Sequence, residues 1–229
     1  MDYFDARGIT NDFYKNYRLP FYISQLPQSA KILDFGCGFG QTLLKLEETG
    51  FKNLYGVDIN KKSLDTIQSA VIKKKAITSF TETADENFKS FDFIILSHVL
   101  EHFPKDDIIP FLKYCFTDLL SANGSLIIAV PNAQSFTGAY WAYEDFTHNT
   151  LFTAGSLYYV LKNAGFEKIE FIDIDGTHES TFIKKIIKKA LLGMYKQRIR
   201  FWNFVTNSSF HKPSPQIFSY EIKALATKK

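Results

Sequence analysis

The sequence predicts an α/β protein built on a parallel sheet. Three observations carry that expectation. Short apolar runs alternate with amphipathic stretches along most of the chain, the order of strand–helix–strand units. One strand-like run enters a turn with three alternate glycines, Gly36, Gly38 and Gly40, and leaves it as a helix. Phe91–Leu96 is a continuous apolar run, as a strand shows when both of its faces are buried.

The elements follow in order. Lys31–Phe35 reads as the first strand and Gln41–Thr49 as the first helix. Asn53–Val57 is the next strand, Lys61–Lys75 the next helix and Ala76–Phe80 a weaker strand. After Phe91–Leu96, a helix from about Lys105 to Leu120 leads through Asn123-Gly124 into the strand Ser125–Val130. Pro131 stops it, because proline has no N–H to pair. Residues 132–152 read as a loop crowded with Tyr, Trp, Phe and His. A helix from Ser156 to Ala164 ends at the glycine cap Gly165, and the strands Phe166–Asp175 and Phe218–Thr227 complete the pattern. With no internal repeat or low-complexity linker, residues 1–229 are expected to form a single domain. Residues 1–30 would be an N-terminal lid or cap, and 176–215 a basic helical insertion before the last strand.

Composition excludes several classes. A hydrophobic fraction of 45% and a charged fraction of 22% rule out wholesale disorder. No apolar run reaches the roughly 20 residues of a membrane-spanning helix. Met1-Asp2-Tyr3-Phe4-Asp5 lacks the basic-then-apolar order of a signal peptide, so export is not expected. Cys37 and Cys115 make neither a disulfide framework nor a zinc cluster, which fits a reducing cytoplasm. The net charge of +3 is uneven: between Ile183 and Lys212 stand eight Lys or Arg and no acid, leaving 19 basic against 24 acidic residues elsewhere. A nucleic-acid binder would distribute its charge differently.

Ile32-Leu33-Asp34-Phe35-Gly36-Cys37-Gly38-Phe39-Gly40 is the most informative stretch. Its glycines let the backbone turn sharply and approach a ligand at a helix N-terminus. A dinucleotide site would want its third glycine at Gln41, and Asp34 would repel a pyrophosphate while attracting an ammonium and a sulfonium. Eighteen residues after Gly40, Asp58 ends the second strand, where an acid accepts hydrogen bonds from both ribose hydroxyls.

On these residues the chain resembles the class I S-adenosylmethionine-dependent methyltransferases. The resemblance runs from Lys31 to Lys229 and rests on Asp34 through Gly40, Gly56-Val57-Asp58 and Phe91 through His102. The last of these is similar to the fourth-strand signature of the branch with ubiquinone-pathway and glycan methyltransferases, as is Asp145-Phe146-Thr147-His148 with Leu151-Phe152-Thr153 and Ser156-Leu157. It implies a Rossmann-like, seven-stranded, mostly parallel sheet with helices on both faces and an antiparallel last strand. It also implies S-adenosylmethionine as cofactor, held by Asp34, Gly36, Cys37, Gly38, Gly40, Asp58, Ile59 and Ser97.

Methyl transfer from a sulfonium is an in-line displacement, so the protein positions the acceptor and, for a hydroxyl, takes a proton. Of five histidines, His98, His102 and His148 are expected near the cofactor. His148, in a loop beside Glu144 and Asp145, is the chosen base, with a loop-bracing hydrogen bond as its alternative. His98 would line the cofactor or acceptor pocket as a second catalytic candidate, and His102 would brace the turn after the strand. No metal is assigned, although Glu144, Asp145 and His148 have a spacing that weakly permits one. Tyr140, Trp141, Tyr143 and Phe146 would form the acceptor wall together with Glu144 and Asp145, since flat rings suit sugars or a quinone. Phe4, Phe13, Tyr14 and Tyr17 would close the cofactor site or pack on the sheet edge. The proline- and aromatic-containing motif of base-methylating enzymes is missing at Ser97-His98-Val99-Leu100, so no nucleic-acid substrate is expected.

The resulting expectation is O-methylation of a sugar or glycan precursor, with a small aromatic or quinone-like acceptor as the alternative within the family. A nicotinamide-dependent oxidoreductase and a non-catalytic membrane-associated binder are the alternatives outside it. In the basic segment, Ile183, Ile186, Ile187, Ala190, Leu191 and Met194 recur at helical spacing, opposite Lys184, Lys185, Lys188 and Lys189. That pattern fits a solvated helix, an anionic membrane surface or a phosphate-bearing acceptor. The expected location is the cytoplasm, with peripheral contact at the inner membrane face.

Overall fold

The structure, a computed structural model, describes Gly8, residues 16–209 and residues 215–229. Phe4, Phe13, Tyr14 and Lys212 lie outside the described residues. The strands are β1 (Ile32–Phe35), β2 (Leu54–Asp58), β3 (Lys73–Ala76), β4 (Phe91–Ser97), β5 (Leu120–Pro131), β6 (Lys168–Ile172) and β7 (Glu221–Thr227). The helices are α1 (Phe21–Ser24), α2 (Gln41–Glu48), α3 (Lys61–Asp65), α4 (Lys105–Tyr114), α5 (Gly138–Glu144), α6 (Ala154–Asn163) and α7 (Phe182–Val205). The seven strands make one sheet in the order β3-β2-β1-β4-β5-β7-β6, parallel except for the last strand, as the class I methyltransferase resemblance implies.

The chain divides into two compact units. The first comprises Met1–Ser97, Tyr114–Ile127 and Thr227–Lys229, and the second His98–Lys113 and Ile128–Ala226. In the first, β1 pairs in parallel with β2 and β4, setting Asp34 opposite Gly56 and Ile95. All four residues of β1 and all five of β2 are buried, as a strand covered on both faces requires. Leu43 and Leu46 on α2 join that core. In the second unit, Phe111, Phe152, Leu157, Leu161 and Phe166 are fully buried, and Phe103 stacks on Phe111 at 4.5 Å. Helix α6 starts two residues before its expected position because Thr153 and Ser156 exchange side-chain and backbone hydrogen bonds as a capping box.

Other boundaries also depart from the sequence expectation. Helix α3 ends at Asp65 rather than Lys75: Thr66 Oγ1 donates to Ser63 O, and Ser69 Oγ accepts from the amides of Val71 and Ile72. Such side-chain bonds compete with helix continuation. Strand β3 then occupies Lys73–Ala76 instead of Ala76–Phe80. Its lysines give no apolar pattern, as suits an exposed edge strand. Within the expected loop 132–152, residues Gly138–Glu144 form α5.

The basic insertion is the 24-residue helix α7, with no buried residue. After it the chain is fixed at Asn132, at the end of β5. The buried Asn132 side chain donates through Nδ2 to the carbonyls of Ile217 and Ser219, both at 2.8 Å. Its backbone amide donates to Tyr220 O, also at 2.8 Å. No helix among the described residues is long and apolar enough to cross a membrane.

Candidate active site

In the first unit, the turn between β1 and α2 is held to the end of β2. The amides of Gly36 and Cys37 donate to Val57 O at 2.8 and 3.1 Å. Gly38 N donates to Asp58 Oδ2 at 2.7 Å, and Asn60 N to Asp58 Oδ1 at 2.7 Å. Gly36, Gly38 and Gly40 all have positive φ, where side chains are strained. A Cβ on Gly40 would also approach Ile67 Cδ1 to 2.7 Å. Gly56 is required for a different reason: a Cβ there would meet Cys37 Sγ and Leu43 Cδ1 at 2.8 Å. Cys37 is buried, and burial raises its thiol well above the ordinary range, so it packs rather than reacts.

Asp34 and Asp58 are both buried. Burial, then the neighbouring Asp58 charge, lifts the Asp34 carboxyl to about 8. A buried acid beside a second acid is suited to a cationic ligand group, which would restore its ionised form. Asp58 accepts one backbone amide on each carboxylate oxygen, and a carboxylate oxygen can accept more than one hydrogen bond, as a diol acceptor must. Ile59 is 79% exposed next to it, an apolar surface for a flat ring, and Ser97 is exposed at the end of β4. The residues therefore fit S-adenosylmethionine: an acid for the ammonium, a diol acceptor and an apolar patch. Gln41, considered in the sequence only for the glycine it replaces, has a buried Oε1 with no hydrogen-bond partner among the described residues. At the start of α2 it is a further candidate to receive the ligand's ammonium. Tyr17 of the expected lid meets Thr42 Oγ1 at 3.0 Å on the same helix.

In the second unit, a compact polar cluster gathers His98, Glu101, His102, Asp145, Thr147 and His148. His98 has φ 55°, a strained conformation for a non-glycine residue. It is held from both sides, Nδ1 to Glu101 Oε1 at 3.2 Å and Nε2 to Glu221 Oε1 at 2.8 Å. Burial opposes its charge, but the hydrogen bonds and charges of Glu101 and Glu221 prevail and raise the imidazole to about 10. His98 is thus an imidazolium near neutral pH, without the lone pair a base needs. In this geometry the ring holds the two carboxylates.

His148 is differently placed. Its Nδ1 donates to Trp141 O at 2.7 Å, which in the neutral ring leaves the lone pair on Nε2, 3.9 Å from Asp145 Oδ2. The loop-bracing bond and a free-electron-pair nitrogen therefore coexist in one ring. Thr147 Oγ1 donates to Asp145 Oδ1 at 2.7 Å, so its oxygen receives Nδ1–H of His102 at 2.8 Å. Burial pushes His102 below its ordinary range, and its ring lies edge-on to His148 with centroids 4.8 Å apart. Glu101 is fully buried, and its carbonyl accepts the amides of Asn149 and Thr150 at 2.7 and 3.2 Å. Glu101, His102 and His148 each offer a ligand atom, all within 4.8 Å of one another. Glu144, part of the grouping considered from the sequence, is exposed. Glu101 had no role in the sequence reading. The signal was there in its His-x-x-Glu-His spacing, which a single turn gathers.

Of the expected acceptor wall, Tyr140, Tyr143 and Phe146 are exposed, while Trp141 is half-buried. Tyr140 and Trp141 pack edge-to-face at 5.1 Å. Buried Asp145 anchors the loop by accepting Thr147 N at 3.0 Å as well as the Thr147 hydroxyl.

The methyltransferase-domain family matches residues 12–170, most of the chain. The protein is a member of that family. A solved S-adenosylmethionine-dependent methyltransferase from Archaeoglobus fulgidus aligns over 90% of each chain, with a TM-score of 0.63 and 21% identity. Phosphoethanolamine N-methyltransferase 2 of Haemonchus contortus, solved with S-adenosyl-L-methionine, aligns over 99% of this chain and 59% of its own, with a TM-score of 0.64 and 14% identity. These likenesses establish the class I methyltransferase fold. In sequence, the mitochondrial ubiquinone biosynthesis O-methyltransferase of Rattus norvegicus is 32% identical over 111 residues, covering 44% of this chain and 31% of the relative. An uncharacterized protein of Rickettsia prowazekii is 34% identical over 111 residues, 44% of this chain and 43% of its own. The chain thus spans less than half the length of the curated relatives it matches. The cofactor of this family of folds is S-adenosylmethionine, and the residues of the first unit fit it.

Proposed function

We propose that the protein methylates an oxygen of a sugar or glycan-precursor acceptor. The observation that supports this reading is the Nδ1–H bond of His148 to Trp141 O, which leaves Nε2 with a lone pair among buried acids. When bound, S-adenosylmethionine supplies an electrophilic methyl group and a neutral leaving group. Asp34 and Gln41 hold its amino-acid end beside the glycine turn, Asp58 its ribose, Ile59 the face of its base, with Ser97 close by. Tyr140, Trp141 and Tyr143 hold the acceptor on ring faces, and Glu144 and Asp145 bind its polar edge. The hydroxyl proton leaves toward Nε2 of His148, while the His98 imidazolium fixes Glu101 and Glu221.

A phenolic or quinone-like acceptor is the second reading, supported by the partial similarity to ubiquinone biosynthesis O-methyltransferases. We further propose a cytoplasmic protein that touches anionic membranes through α7, whose exposed Ile183, Leu191, Met194 and Trp202 alternate with exposed lysines. The test is release of S-adenosylhomocysteine over a panel of nucleotide sugars, glycan fragments and catechols. With the acceptor so identified, His148→Ala should lower turnover roughly a hundredfold at constant cofactor affinity. Normal turnover in that variant removes His148 from the chemistry, and a wild-type protein that binds no S-adenosylmethionine removes the activity.

A further inference from the structure

We propose that Lys223 and Asp173 are positioning residues for the acceptor loop, acting on it through Glu221 and His98. The inference rests on the acceptor-side reading above and extends it to the last strand and the turn that follows β6.

The sequence of β7 sets up the arrangement. Its residues alternate, with Ile222, Ala224 and Ala226 buried on one face and Glu221 and Lys223 half-buried on the other. Two positions apart, Glu221 and Lys223 project to the same side. Lys223 also reaches Asp173, the residue directly after the neighbouring strand β6. Its Nζ lies 3.3 Å from Glu221 Oε2 and 3.6 Å from Asp173 Oδ2. The other oxygen of Glu221 is 2.8 Å from His98 Nε2, and His98 Nδ1 is 3.2 Å from Glu101 Oε1. Charges of alternating sign thus run in a row from Asp173 through Lys223, Glu221 and His98 to Glu101.

These groups are largely withdrawn from water. The side chains of Asp173, Glu221 and Lys223 are 8%, 11% and 17% exposed, and that of Glu101 is fully buried. Removing one member of such a set leaves its neighbours as uncompensated buried charges, a much larger penalty than the loss of a surface pair. Without the Lys223 ammonium, Asp173 and Glu221 would be left as two like charges. Burial opposes the Glu221 charge, yet His98, Lys223 and the Tyr220 hydroxyl together hold its carboxyl below the ordinary range.

Both ends of the row grip backbone. Asp173 Oδ1 accepts the amides of Thr177 and His178 at 2.9 and 3.0 Å. At the other end, the Glu101 carbonyl accepts the amides of Asn149 and Thr150, the two residues that follow His148. Asp173 and His98 have φ of 47° and 55°. A residue other than glycine keeps such a conformation where its surroundings over-determine it, and the row supplies those surroundings. Lys223 fixes one oxygen of Glu221 and so presents the other to His98. His98 in turn fixes Glu101, whose backbone seats the loop of Asp145 and His148.

The test is amide hydrogen exchange, read by NMR on the full chain. Lys223→Met keeps the length of the side chain and removes its charge. It should speed exchange at Asn149 and Thr150 about tenfold, while Gly36 and Cys37, bonded to Val57 in the first unit, stay unchanged. Lys223→Arg should restore the protection. Asp173→Asn keeps an oxygen for the Thr177 and His178 amides but loses the charge, and should speed the same two loop amides about threefold. Unchanged exchange at Asn149 and Thr150 in Lys223→Met, or in Asp173→Asn should the first variant not fold, overturns the proposal. An equal rise at Gly36 and Cys37 also overturns it, since that marks general loosening. On the acceptor found with the panel above, Lys223→Met should raise the Michaelis constant for the acceptor about tenfold at constant cofactor affinity. The two readings fail separately. A loop that loosens in a protein that binds no S-adenosylmethionine keeps the row and removes methyl transfer. Full protection in the variants of an active enzyme removes only the row.

Discussion

The glycine turn of the first unit and the histidine cluster of the second solve different problems. The turn draws its ligand groups from residues 34–58, and each is tied to backbone: Gly36 and Cys37 to Val57, Asp58 to Gly38 and Asn60. The cluster collects side chains from residues 98–102, 145–148 and 221, most of which hold one another, with His148 on the Trp141 carbonyl. A site made by backbone geometry tolerates exchange of its neighbours as long as the glycines stay. A site made by side chains fails by single substitutions. On the proposed function, the first binds the cofactor and the second handles the acceptor.

That contrast can be broken most sharply at Asp58. Asp58→Ala should weaken S-adenosylmethionine by roughly 2–3 kcal/mol, because it removes charge-assisted bonds to two hydroxyls and the anchor of Gly38. Calorimetry giving an unchanged affinity would detach Asp58 from the ribose. Asp34 sharpens the same unit at a smaller scale. With its carboxyl at about 8, it is mostly protonated at pH 7 in the free protein, and a cationic ammonium should ionise it. Binding should then release up to about one proton below pH 8, and affinity should rise with pH to about 8 and level off. The folded-state value lies above the unfolded one. The stabilising contribution of Asp34 is therefore full below about pH 4 and is lost as pH climbs to about 8. Calorimetry in buffers of different ionisation enthalpy measures the proton count. An Asp34→Asn variant that still releases the proton would place it elsewhere.

The smallest effect belongs to the second unit. Anionic vesicles should sediment the protein weakly and less so as salt rises, since each lysine near such a surface contributes about 1 kcal/mol before screening. Replacing Lys184, Lys185, Lys188 and Lys189 by Gln should reduce it further. Indifference of the wild-type protein to such vesicles at low salt would leave α7 a solvated helix. A raised Michaelis constant for a phosphorylated acceptor in the same variant would make it part of the acceptor site.

How much of this was legible in the sequence follows from the same contrast. The glycine turn and Asp58 could be read because their partners are near in the chain and their geometry demands particular residues. Strand β3 could not, because Lys73, Lys74 and Lys75 sit on a sheet edge where apolar periodicity is not required. Helix α3 was drawn too long because its lysines suit a helix, while Ser63, Thr66 and Ser69 redirect the backbone. In the cluster, the histidines were visible as residues but their pairing was not. Which imidazole is locked by carboxylates and which keeps a lone pair depends on Glu221, more than a hundred positions from His98.

The clasp at Asn132 has a consequence for how this chain can change over time. The backbone re-enters the sheet at a point fixed by three hydrogen bonds from one residue, whatever path it takes between β6 and β7. Loop-closure entropy rises only slowly with length, so segments of very different size can be carried there at little thermodynamic cost. The excursion around α7 is then a cassette. An exchange would have to replace the contacts that α7 makes beyond itself, among them Lys196 with Asp175 at 3.0 Å and Tyr195 with Phe218 at 5.6 Å between ring centroids.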